Sequence, residues 1–234
     1  MSSISANLQA VRQAIHVAAT TVSRDPHAIT LLAVSKTFSI DAVFEAARCG
    51  QRAFGENYVQ EAIDKIIAAN ALIPTLDLDW HFIGPIQSNK TRLIADHFDW
   101  VHSVDREKIA RRLSEQRPPH LPPLNLCLQV NISGEVSKSG AAITDTVALA
   151  GTIAALPGVR LRGLMAIPEP TDDIAAQRTA FAKVRLLFQQ CRDAGIDLDT
   201  LSMGMSADLS SAIAEGATIV RIGSAIFGKR TYAE

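Results

Sequence analysis

A lysine at the end of a short apolar run is the first residue in this sequence with chemistry to offer. In Leu32-Ala33-Val34-Ser35-Lys36-Thr37 the residues two apart, Leu32, Val34 and Lys36, share one strand face. Lys36 therefore stands over an apolar surface. Desolvation lowers a lysine's pKa, and the neutral amine that results can attack an aldehyde to form a Schiff base. A solvated lysine that merely begins the next loop is the plainer reading while Lys36 is taken alone. Two glycine–hydroxyl turns shift the balance. Met203-Gly204-Met205-Ser206-Ala207-Asp208 opens a helical pattern with Ser206 near its N-cap, and Arg221-Ile222-Gly223-Ser224-Ala225 repeats the arrangement. Helix N-termini expose unpaired N–H groups that attract anions, so together the turns read as a phosphate pocket, although each alone suits an ordinary cap. Arg221 shares a strand face with Gly223, and a buried arginine needs an acceptor. Glu56 or Asp208 would serve, and so would an atom of a ligand. Asn57, closing Gly55-Glu56-Asn57, offers an amide to a ligand oxygen, though asparagine often ends strands.

Other chemistries lack their residues. The six histidines (His16, His27, His81, His97, His102 and His120) show no metal-ligand spacing. His81 and His102 fall in strands and read as hydrogen-bonded core residues. Neither a Gly-x-Ser-x-Gly elbow nor a Walker sequence is present.

The elements that must position these residues alternate regularly. Strand patterns fall at 29–36, 52–57, 80–84, 100–104, 125–131, 160–167, 200–205 and 219–223, with helical patterns near 41–49, 59–70, 90–97, 106–116, 144–156, 173–194 and 207–214. A further helix over 4–22 carries Ile4, Leu8, Val11, Ile15, Ala18 and Val22 at helical spacing. This alternation predicts an α/β chain with a parallel sheet, and eight repeats in this length suit a closed (β/α)8 TIM barrel. A single domain over 1–234 is expected, with the barrel over 29–228 and the N-terminal helix standing in for the one missing after the last strand. Barrel sites lie at the C-terminal strand ends, phosphate commonly after strands 7 and 8, and closure makes strand 8 the neighbour of strand 1. Lys36 would then stand beside the phosphate pocket. In strand 5, Cys127, Gln129 and Asn131 form a polar face that either lines the site or ties strands together.

Composition bounds the rest. The 234 residues are 47% hydrophobic with a formal net charge of −1. Charges of both signs are scattered, which gives no support for nucleic-acid or membrane binding, and no apolar run is long enough to span a bilayer. The N-terminus lacks a basic region followed by an apolar run. Three widely spaced cysteines, Cys49, Cys127 and Cys191, suit a reduced cytoplasm and no disulfide framework. A cytoplasmic monomer is expected.

At these strand ends the sequence resembles the pyridoxal phosphate homeostasis protein family, the YggS-type group. The resemblance rests on Leu32 to Thr37, on Phe54-Gly55-Glu56-Asn57-Tyr58-Val59-Gln60-Glu61 and on Trp80-His81-Phe82-Ile83-Gly84. It runs on through Gln87-Ser88-Asn89-Lys90, Gln129-Val130-Asn131, Ser137-Lys138-Ser139-Gly140 and Gly163-Leu164-Met165, and closes with 201–208 and 220–228. It implies a barrel of the alanine racemase N-terminal type without that enzyme's second, β-rich domain. It implies pyridoxal 5′-phosphate (PLP) as cofactor, Lys36 as the Schiff-base lysine and Arg221 facing the pyridine nitrogen. Ser206, Gly223 and Ser224 would surround the phosphate, and Asn57 would lie near the ring substituents. Two departures are small: Ile86 precedes Gln87 where leucine is frequent, and Ser224 stands where threonine is commoner.

An arginine at the pyridine nitrogen disfavours ring protonation and makes the cofactor a poor electron sink. Racemisation needs acid–base groups on both faces of the substrate. Alanine racemases take one of them, a tyrosine, from the second domain, and this chain's tyrosines are Tyr58 and Tyr232. The expectation is a PLP-binding protein of vitamin B6 homeostasis without strong catalytic activity, with PLP-dependent apo-enzymes as transient recipients. A small amino-acid racemase and a cofactor-free Schiff-base aldolase remain the rivals.

Overall fold

Apolar spacing decides the layers. In the computed structural model, which describes residues 3–73, 75–135 and 139–228, helix α1 (Ser3–Thr21) buries Ile4, Leu8, Val11, Ile15, Ala18 and Ala19 along one stripe. The chain then alternates through β1 (Thr30–Val34), α2 (Ile40–Arg48), β2 (Ala53–Glu56), α3 (Val59–Leu72), β3 (Asp79–Phe82), α4 (Thr91–His97), β4 (Trp100–Val104) and α5 (Glu107–Gln116). It continues through β5 (Leu124–Val130), α6 (Thr146–Ala154), β6 (Val159–Ala166), α7 (Ile174–Asp193), β7 (Thr200–Ser202), α8 (Leu209–Ala214), β8 (Ile219–Ile222) and the short α9 (Ser224–Phe227). The eight strands run parallel in sequence order and close when β8 pairs with β1. This is the barrel that the alternation predicts. All the strands but β4 end one to three residues before their sequence patterns; β1 stops at Val34 and β7 at Ser202, ahead of left-handed backbone at Thr37 (φ 68°) and Gly204 (φ 96°). Ser137, Lys138 and Tyr232 lie outside the described residues.

Strand parity separates two cores. Leu31 and Ala33 pack outward among the helices, whereas Leu32 faces in and meets Ala53, Ile219, Ile83 and Trp100. In β5 the outward set is Leu126, Leu128 and Val130. Arg162 closes the N-terminal end of the barrel. Its Nη2 donates to Asp199 Oδ2 at 2.7 Å and its Nη1 to Asn125 Oδ1 at 3.1 Å, and its guanidinium lies 4.7 Å over the Trp100 ring. Helix α1 packs against α2, α8 and α9, the place of an eighth barrel helix. Asn7 Nδ2 donates to Ile226 O at 2.9 Å, tying α1 to α9. No described helix is long and apolar enough to cross a membrane.

Gly163 lets β6 and β7 approach. A Cβ there would fall 1.7 Å from Thr200 O, a backbone atom that cannot swing aside. Gly163→Ala must push the strands apart, and overpacking of this kind costs about 3 kcal/mol, the upper end of its usual range. Urea denaturation of the variant should show that loss; a change below about 1 kcal/mol would mean that the strands have slack.

Candidate functional site

The register assembles the C-terminal end of the barrel. Leu32 pairs with Arg221 and Val34 with Gly55. Two residues further along, Lys36, Asn57 and Gly223 follow these partners on three adjacent strands, β1, β2 and β8. Gly223 also comes close to the Val34 backbone. Arg221 lies one same-face position below Gly223, level with Leu32 and beneath the rim. Ser206, in the turn after β7, and Ser224, opening α9, are exposed at the same end. The six residues singled out in the sequence thus converge on one end of the barrel.

Lys36 is half-buried, and a clamp holds the residues on both sides of it. Lys65, on α3, donates from Nζ to Ser35 O at 2.8 Å, Glu56 Oε1 at 2.9 Å and Glu61 Oε1 at 2.6 Å. Ser35 Oγ donates to Glu56 Oε1 at 2.6 Å, and Thr37 N donates to Glu61 Oε1 at 2.6 Å. Phe38 rests on Phe227 with ring centroids 5.2 Å apart, joining the loop to α9. Burial pushes the Glu56 carboxyl above its ordinary pKa, against the pull of Lys65 and of the Ser35 hydroxyl. Its Oε2 has no hydrogen-bond partner among the described residues.

Arg221 is 5% exposed. It donates from Nη1 to Ser202 O at 2.6 Å and to Ser202 Oγ at 2.8 Å, and from Nη2 to Ala166 O at 3.0 Å. A guanidinium has five N–H groups, so these bonds leave one on Nε and one on Nη2. Among the described residues no carboxylate forms an ion pair with it. The carboxylate partners weighed from sequence are engaged elsewhere. Glu56 faces outward to Lys65, and Asp208 accepts from Met205 N at 2.5 Å. Burial lowers the Arg221 pKa to about 10, with Asp208 and Cys127 opposing the shift. It stays cationic near neutral pH.

Asn57 presents an orphan atom. Its Oδ1 is buried without a hydrogen-bond partner among the described residues, and Gly84 packs so tightly on its backbone that a Cβ would come 2.2 Å from Asn57 O. The backbone is held closely and the side-chain amide is incompletely bonded. Gln129 Nε2 donates to Ser139 O at 3.1 Å and Asn131 Nδ2 to Glu135 O at 2.7 Å, bonds that hold the loop after β5. No group of three or more potential metal ligands occurs among the described residues. Cys49, Cys127 and Cys191 are free thiols.

The family described as alanine racemase, N-terminal domain, matches residues 6–231. The pyridoxal phosphate homeostasis protein of Pseudomonas aeruginosa is 61% identical over 232 residues, which is 99% of this chain and 98% of that one. The chain belongs to the pyridoxal phosphate homeostasis protein family. The protein of that name from Escherichia coli K12 is 52% identical over 234 residues, the whole of both chains. Among solved structures, PipY of Synechococcus elongatus with PLP bound superposes with a TM-score of 0.83 at 37% identity, covering 96% of this chain and 100% of PipY.

The clamp and Ser202 are what sequence reasoning missed. Glu61 and Lys65 are spaced i, i+4 on a helix, a pairing signal, but their reach to the Lys36 loop is a tertiary fact. Lys65→Met should leave the Glu56 carboxylate buried and uncompensated, a loss of about 3–5 kcal/mol in comparable pairs. The loss should shrink on acidification. The raised folded-state pKa of Glu56 means that the folded protein takes up a proton before the unfolded chain does, so relative stability rises as pH falls through it. Urea midpoints at pH 8 and pH 5 test this; a penalty equal at both, or larger at pH 5, would show that the Glu56 charge is not its source.

Proposed function

We propose that this chain binds PLP at the C-terminal end of the barrel, holds it as a Schiff base on Lys36, and serves PLP homeostasis by carrying the cofactor rather than by strong catalysis. The observation that carries this reading is Arg221, a buried cation with spare donors and no carboxylate partner among the described residues, on the strand beside the rim lysine and deeper in the barrel. The residues present fit the group. Lys36 meets the aldehyde, Arg221 the ring nitrogen and the orphan Asn57 amide a ring substituent. Ser206, with Gly223 and Ser224 at the start of α9, meets the phosphate, where first-turn N–H groups lack intrahelical acceptors. The relatives named above support the cofactor's identity.

When bound, PLP supplies an electrophilic aldehyde and a ring that withdraws electrons once its nitrogen is protonated. Lys36 would hold the aldehyde carbon through its amine, a linkage whose formation would release one water and which water would reverse. The clamp on Ser35 and Thr37 fixes the lysine's backbone for this step. Arg221 places a positive charge where a ring proton would go, which disfavours that proton and restrains chemistry on amino acids. A carrier needs this combination: covalent retention, reversible release and little turnover. PLP-dependent apo-enzymes are the recipients that suit it. The racemase reading needs a second acid–base group over the ring; Tyr58 follows Asn57 at the rim but is exposed, and His81 and His102 are buried below.

Lys36→Ala should fold as the parent does, since Lys36 sits outside the packed layers, and should keep only reversible PLP. Intact mass after incubation with PLP and borohydride reduction reads this directly. A reduced adduct on the parent and none on the variant is expected, and an adduct of equal yield on both would remove Lys36 from the role.

A further inference from the structure

Beneath the rim a chain of polar side chains crosses the barrel interior from β3 to β8. His81 Nδ1 lies 2.9 Å from His102 Nε2, and His102 Nδ1 lies 2.7 Å from Ser202 Oγ. Ser202 Oγ in turn accepts from Arg221 Nη1 at 2.8 Å. His102 and Ser202 are fully buried and His81 nearly so, and His81 stacks on Trp100 with centroids 5.3 Å apart and planes within 5°. Burial drives the His81 pKa down to about 3. Burial, then the neighbouring His81 and Arg221, hold His102 well below its ordinary value. Both imidazoles are therefore neutral at pH 7, and each carries one ring proton.

Arg221 decides where those protons sit, because a guanidinium can only donate. Ser202 Oγ must accept from it, which leaves the Ser202 hydroxyl proton to place. In one direction Ser202 donates to His102 Nδ1, His102 donates from Nε2 to His81 Nδ1, and His81 keeps its proton on Nε2. Only the far end of the chain, His81 Nε2–H, is then without an acceptor in these bonds. In the reverse direction His81 Nδ1 donates to His102 Nε2 and His102 Nδ1 donates to Ser202. The Ser202 hydroxyl proton and the His81 Nε2 lone pair are then both stranded. Each unmade bond in a buried site is costly, so the first direction prevails.

We propose that His81, His102 and Ser202 are positioning residues of the cofactor site: a one-way hydrogen-bond chain, with both ring protons on Nε2, that fixes Arg221 beneath the cofactor's ring nitrogen. Its purpose rests on the PLP reading above; its geometry does not. The chain solves a specific problem. A carboxylate would hold the guanidinium as firmly but would neutralise it, whereas neutral imidazoles and a hydroxyl orient it and leave its charge intact. The Asp208 carboxylate already acts on Arg221 through space. The tether to Ser202 keeps the guanidinium from turning toward that carboxylate and away from the ring.

Long-range proton–nitrogen NMR correlations of ring-15N histidine in the cofactor-free protein at pH 7 read the chain without PLP. Both His81 and His102 should carry the proton on Nε2 with a bare Nδ1; a proton on His102 Nδ1, or a cationic ring, overturns the chain whatever PLP does. Ser202→Ala should erase the Nε2 preference of His102. It should also weaken PLP binding roughly tenfold, the loss of one hydrogen bond to a charged group. Binding of the PLP analogue with carbon in place of the ring nitrogen should hardly change. Equal loss for both compounds would show a merely structural role and overturn the positioning one, as would an unchanged PLP affinity. Expected tautomers in a parent that takes up no PLP would sink the cofactor reading and leave the proton placement standing.

Discussion

The proposed site depends on a buried positive charge that forms no ion pair with a carboxylate among the described residues. Arg221 sits on β8 inside the barrel, 5% exposed, and its partners are two backbone carbonyls and a hydroxyl. Such a group is costly to bury, and the fold meets the cost with fixed dipoles. Closure brings the β6 terminus and β7 beside β8, which sets Ala166 O and the two Ser202 oxygens around one guanidinium. Lys36, Asn57 and Gly223 stand nearer the rim than that charge.

The Lys36 loop illustrates the opposite solution. There the buried charges are paired: the Lys65 ammonium bridges Glu56 and Glu61 and reaches the Ser35 carbonyl. Thr37 adopts φ 68°, a left-handed conformation unusual for a β-branched residue and worth roughly 1–3 kcal/mol of strain. The bond from Thr37 N to Glu61 helps to hold it. A strained residue beside the proposed Schiff-base lysine, clamped from α3, fits a loop whose shape matters more than its own stability. In the proposed site the two solutions divide the labour, with pairing to fix the lysine's backbone and an unpaired cation to set the ring's electronics.

Much of this was legible in the sequence because the signals are local. Alternation of strand and helix patterns predicts the barrel, and parity in β1 and β5 correctly separates Leu32 from Leu31 and Cys127 from Leu128. Parity also bears on Arg221: Glu56 shares its face with the outward-packed Phe54, so it was a poor partner for an inward arginine. His81 and His102 read as hydrogen-bonded core residues, and they are. The missing part is long-range. His102 and Ser202 lie 100 residues apart, and parity places both inside the barrel without saying which inward residues meet across it. The Lys65 clamp escaped for the same reason, since helix spacing reveals the pair with Glu61 but not the loop that both serve.

In the proposed site the Arg221 guanidinium would keep the ring nitrogen of bound PLP bare, and the protein would retain PLP without putting it to work. Nitrogen-15 NMR of the protein loaded with PLP labelled at the ring nitrogen measures that state directly. At pH 7 the shift of an unprotonated pyridine is expected. The shift of a pyridinium in the bound cofactor would contradict it.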